Sequence, residues 1–208
     1  MTNTFARMLL LFCLVCSWQT NAFSADNNFN ASAVYLFNVV SETDAIDLDF
    51  DEGNGLAGYI AYRPLSYLML EVGTVNFDSI KGFEQSPSVT QRTEFQVSGY
   101  TVGIKAEGSF NGLFNIWGSV GTYKWDSTFN YSITYPNFPA LERFGSNSNS
   151  GSDVFYRVGV NAPLIKNINF TVEVAHFEFN DLFSNASSGQ NVSFDQNFIG
   201  FGFETNFW

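Results

Sequence analysis

Apolar and polar residues alternate with a period of two in eight stretches of roughly ten residues, at 29–40, 55–63, 66–77, 95–110, 113–128, 153–162, 168–179 and 196–207. That period predicts strands with one apolar face and one polar face. Nothing after the N-terminus approaches the roughly 18 continuous apolar residues of a membrane-crossing helix. The stretch 99–107 shows the division: Tyr100, Val102, Ile104 and Ala106 share one face, and Gly99, Thr101, Gly103, Lys105 and Glu107 share the other. In 153–162, Val154, Tyr156, Val158 and Val160 oppose Asp153, Arg157, Gly159 and Asn161.

The segments between these strands alternate in length. Short ones follow Arg63 ("PLS"), Phe110 (Asn111-Gly112) and Ala162 ("PLIKN"), and long polar ones run over 41–54, 78–94, 129–151 and 180–195. Asn-Gly between two strands is a strong hairpin signal. All five prolines are expected in turns or loops, where no ladder donor is lost. The run "GSNSNSGS" at 145–152 is expected to be a flexible, exposed loop. Eight strands joined alternately by short turns and long loops are the layout of a small transmembrane barrel, because only helices and closed barrels satisfy their own backbone hydrogen bonds in lipid. The predicted fold is all-β, an eight-stranded antiparallel up-and-down transmembrane β-barrel. Its polar face would then point inward, placing Arg63, Lys105 and Arg157 with Glu71, Glu107, Glu173 and Glu204 in the lumen. Ions so enclosed are tolerated only when paired.

Composition adds the route out of the cytoplasm. Arg7 precedes an apolar core over 8–16, followed by small and polar residues, the layout of a secretory signal peptide. Residues 1–22 are expected to be removed after Ala22, with Ala25 as the second site, leaving 23–208 as one barrel domain with no linker. Cys13 and Cys16 both fall in that signal, so the mature chain would hold neither a disulfide nor a thiol nucleophile. Phe12 and Val15 precede them where a lipoprotein needs a small residue. A net charge of −11 argues against nucleic acid.

Together the signal, the eight amphipathic strands, the loop alternation, the inward Arg/Lys/Glu set and the aromatic C-terminus resemble the OmpA-like transmembrane domain and the wider outer-membrane β-barrel family. The resemblance spans the mature chain. It implies a monomer in the Gram-negative outer membrane, in contact with its lipid and lipopolysaccharide, inserted by the barrel-assembly machinery. That machinery reads a terminal strand of alternating apolar residues, here Ile199, Phe201, Phe203 and Phe207, with Gly202 on the opposite face. Thr205 interrupts the row, and Trp208 lies one residue beyond Phe207.

The same alternation with its sign reversed would suit a soluble carrier barrel, apolar inside and charged outside. Scarce outward charge and the aromatic end weigh against it. Candidate chemistry is thin. His176 sits where the apolar row Phe170, Val172, Val174 is expected to pass through a bulge to Phe177 and Phe179. Glu178 and Ser184 are nearby in sequence, but Glu178 stands where a lipid-A deacylase would hold serine, so no enzyme is expected. Asp47, Asp49 and Asp51 imitate the start of a calcium loop, but Glu52 and Gly58 occupy its glycine and glutamate places. No metal or cofactor is therefore expected. A looser expectation is that these acids gather divalent cations against lipopolysaccharide phosphates. The expected role is structural or adhesive, with an extracellular ligand on the long loops. A narrow gated channel is the alternative.

Overall fold

A computed structural model describes residues 29–43, 53–85, 88–184 and 191–207. The signal segment with its cysteines, the acids between 44 and 52, and Trp208 lie outside the described residues. Eight strands are present: β1 Phe29–Thr43, β2 Gly55–Leu65, β3 Leu68–Gln85, β4 Thr90–Phe110, β5 Phe114–Thr134, β6 Arg143–Ile165, β7 Ile168–Ser184 and β8 Asn191–Phe207. Each pairs antiparallel with its sequence neighbour, and β1 closes on β8.

The turn end is built from local signals. Asn111 and Gly112 both take positive φ, 51° and 69°, in the β4–β5 turn, and Asn167 does so in the β6–β7 turn at 66°. Asparagine and glycine tolerate this left-handed region best. Two prolines depart from expectation. Pro64 and Pro163 lie inside β2 and β6, near the turn end. On β2 a register shift between Tyr62 and Leu65 leaves Pro64 outside the β2–β3 ladder, where its missing donor costs nothing, and on β6 Pro163 stands opposite Asn169 immediately before a shift at Leu164.

The outward face is an apolar belt. On β4 it runs from Tyr100 to Phe110 through Val102 and Ile104, all exposed. At about 3.4 Å per residue and a tilt near 40° it stands about 25 Å tall, the height of a lipid-facing band. Aromatic side chains frame it, with Phe29, Tyr62, Phe110 and Phe114 toward the turn end and Tyr35, Phe37 and Tyr100 toward the loop end. Buried charged groups line the turn-end half of the interior while the apolar belt faces outward, the reverse of the charged-outside arrangement of a soluble carrier.

At the loop end the strands run further than their alternation predicts. Residues 78–85, 90–94, 129–134 and 143–151 continue β3 to β6, and the run 145–152 is strand with most of its side chains exposed. Backbone ladders do not require one apolar face, so the strands persist where the pattern is lost. The wall also divides here. The β1–β2 ladder ends at Leu36 with Gly55, and the β6–β7 ladder ends at Phe155 with Phe177. Beyond those pairs β3 to β6 continue as one four-stranded sheet, while β7, β8 and β1 continue as a three-stranded one.

Candidate functional site

The lumen is filled in two layers. In the turn-end half, Arg157 lies between β3 and β7, donating to Glu71 and, at 3.2 Å, to Glu173. Ser119 also donates to Glu71 at 3.2 Å. Lys105 pairs with Glu204, which accepts further from Asn161 at 3.0 Å and Asn30 at 3.3 Å. Arg63 reaches Glu107 at 2.7 Å and the Ser66 carbonyl at 3.0 Å, tying the lumen to the β2–β3 turn. Asn115 donates to the same Glu107 at 2.6 Å.

Aromatic faces complete the cation shells. The Arg157 guanidinium sits 3.6 Å from the Tyr59 ring centre, and the Lys105 ammonium 4.5 Å from that of Trp117. Such contacts gain strength when desolvated. Gly159 makes room for the indole: a Cβ there would lie 2.5 Å from Trp117 Cζ2. Three cations thus meet four carboxylates inside the wall, on strands far apart in the chain.

The second layer is aromatic and lies toward the loop end. Phe77 packs against Phe177 at 5.3 Å, Phe198 at 5.0 Å and Phe179 at 5.7 Å between ring centres. Phe155, Tyr123 and Trp125 close around them, and Val34, Leu36, Val75 and Val97 fill the remainder. Phe155, Phe177, Phe179 and Phe198 are all 0% exposed. At the point where β6 and β7 part, side chains replace the ladder. Tyr123 donates its hydroxyl to the Glu178 carbonyl, and Asp153 accepts from the Asn180 backbone at 3.0 Å, the Asn180 amide at 2.9 Å and the Trp125 indole at 2.6 Å.

This corrects the expected bulge at His176. The parity of β7 is unbroken there: Phe177 and Phe179 point inward, His176 and Glu178 outward, and the register shift lies between Phe179 and Phe183. His176 Nδ1 lies 2.9 Å from the Asn197 amide oxygen, its ring stacks on Tyr156, and Nε2 is 3.8 Å from Glu178. The aromatic layer was concealed by the assumption that large apolar side chains face outward. Its signal was the odd-numbered series Phe155, Arg157 and Glu173, Phe177, Phe179, which shares one face with the ions.

In β8, Ile199, Phe201 and Phe203 point outward and Gly202 inward, and Phe207 is half-buried opposite Phe29. A Cβ at Gly202 would lie 2.8 Å from the Val34 Cα, so the closing seam needs glycine there.

No family model matches the chain, and no curated protein does. Solved structures do. The outer membrane protein OprG from Pseudomonas aeruginosa matches with a TM-score of 0.55 at 13% identity, over 88% of this chain and 96% of that one. Neisserial surface protein A matches with a TM-score of 0.52 at 12% identity, over 86% of this chain and 97% of its own. Ail, the attachment invasion locus protein of Yersinia pestis, gives 0.47 at 14% identity, over 86% and 99%. At such identities the likeness concerns architecture alone, and what the chain shares with OprG and Neisserial surface protein A is the closed, antiparallel, eight-stranded barrel.

Proposed function

We propose that the chain is an integral barrel of the bacterial outer membrane, of the OmpA-like kind, acting as a non-conducting, non-enzymatic surface protein whose loop end meets extracellular partners. The turn end then faces the periplasm and the loop end the exterior. The observation that carries this reading is the filled lumen: the ion-paired layer and the aromatic layer succeed one another along the axis, and their principal side chains are almost wholly buried. A solute would have to disrupt both. Ile199, Phe201, Gly202, Phe203 and Phe207 form the outward row and closing contact that suit them to the assembly signal.

Conductance across planar lipid bilayers tests the reading. The wild-type protein is expected to insert without single-channel steps, and Arg157→Ala is expected to loosen the barrel without creating an ion-selective pore. Regular wild-type steps, altered by Glu71→Ala or Arg157→Ala, would instead establish the gated channel.

A further inference from the structure

The four-stranded sheet formed by the loop ends of β3 to β6 carries a groove of about 780 Å³. It is lined by Lys81, Arg92, Glu94, Asn130, Ser132 and Phe144 among others. Register places Lys81, Glu94, Asn130 and Ser146 in one row across four strands, and Arg92, Ser132 and Phe144 in the next. Both rows share the parity of the outward belt residues Tyr100 and Val120. The groove therefore lies on the outside of the wall, with the backbone of Thr93, Tyr131 and Gly145 between its two sides.

Its height decides what can reach it. Glu94 and Arg92 are six and eight residues beyond Tyr100, the last apolar outward residue of β4. With the same rise and tilt, the groove stands about 15–20 Å above the hydrocarbon edge. It opens sideways, over the leaflet, into the layer occupied by sugars rising from the lipid.

Its chemistry agrees. Asparagine and serine supply amide and hydroxyl partners, and Phe144, 72% exposed, offers a ring face on an otherwise polar stretch of β6. Lys81 and Arg92 set two cations against Glu94. Cations distinguish this side of the barrel: β3, β4 and β5 present Lys81, Arg92 and Lys124 outward among the acids Glu94 and Asp126, whereas the described outward residues of β7 and β8 include Glu178 and Asp195 and no lysine or arginine.

We propose that this groove holds an anionic saccharide, and that its source is the phosphorylated core sugar chain of lipopolysaccharide in the surrounding leaflet. The proposal rests on the membrane placement given above and adds a defined site to it. Lys81 and Arg92 pair with phosphate, Asn130 and Ser132 bond to ring hydroxyls, and Phe144 stacks on a sugar face.

The test uses the full mature protein in detergent micelles and in vesicles, with deacylated lipopolysaccharide core oligosaccharide as the probe. Wild-type protein in micelles is expected to bind the phosphorylated probe and to bind the phosphatase-treated probe at least tenfold more weakly. Lys81→Glu combined with Arg92→Glu is expected to weaken binding at least tenfold, and Phe144→Ala severalfold, with the heat-dependent gel shift of the folded barrel retained. Equal binding by wild type and the charge-reversed variant would overturn the site. In vesicles, probe binding is expected with phospholipid alone and to be lost when lipopolysaccharide occupies the leaflet. Undiminished binding there would overturn the leaflet as source and assign the groove to a soluble glycan. Failure of the barrel reading itself would appear separately, as failure to insert into vesicles and absence of the gel shift.

Discussion

Ile104 and Gln96 are both outward residues of β4, eight positions apart, one in the middle of the apolar belt and the other beyond it. Arginine at Ile104 is expected to cost about 2–4 kcal/mol, and at Gln96 close to nothing, because the penalty follows depth in the hydrocarbon. Urea unfolding in lipid vesicles, followed by tryptophan fluorescence, measures both; equal effects would mean that the belt does not meet lipid. Arg157 poses the converse problem inside the wall. Arg157→Met alone leaves Glu71 and Glu173 buried without their cation and is expected to cost about 3–5 kcal/mol. Replacing both carboxylates by methionine as well should recover much of that loss, since a well-packed apolar set replaces a buried ion group at little cost. Failure to recover would show that the ion group specifies the closed register rather than merely tolerating burial. The inward place of these residues was legible from their alternation with Val158, Val172 and Phe203. Their partners were not: Lys105 could have paired with Glu71 or Glu173 as readily as with Glu204 on sequence grounds.

At the scale of the element, strands were readable where one face is apolar and invisible where neither is. The belt segments of β4, β5 and β6 alternate strongly, but beyond Tyr100, Val120 and Val154 their outward residues turn almost wholly to polar and charged ones, with Phe144 the exception. There the hydrogen-bonded ladder alone carries the strand, and composition resembles a loop. The aromatic layer was missed for the opposite reason. Phe155, Phe177 and Phe179 keep their strand parity while changing chemistry from polar to apolar, and parity is imposed by the pleat whatever the residue. The protruding ends of β5 and β6 are separable from the belt. Because Thr128 pairs with Ser148, replacing residues 129–147 by Asn-Gly joins two positions already opposed. The shortened protein is expected to assemble with an unchanged gel shift and to lose the core oligosaccharide. Loss of assembly would mean that these ends nucleate the barrel.

For the whole molecule the expectation is a compact species that resists detergent at room temperature. Unboiled protein from outer membranes should migrate apart from boiled protein, since a closed barrel leaves no free edge at which detergent can begin to separate strands. A carbonate-extractable protein with no shift would contradict both the belt and the location. Closure depends on contacts no local pattern encodes. The β1–β8 seam brings Phe29 opposite Phe207 and Val34 opposite Gly202, pairs separated by most of the chain.

The sequence by itself determined eight strands, their up-and-down order, the division of the belt segments into an apolar and a polar face, and the tight turn at Asn111-Gly112. These follow from the two-residue period and from backbone sterics, which act within a few neighbours. Only the tertiary structure decided which carboxylate meets which cation, that the lumen is divided into an ionic and an aromatic layer, and that two rows from four strands enclose a groove outside the wall. Those features depend on the stagger between strands, and stagger is fixed only when the sheet closes on itself and every side chain finds its place in one shared interior.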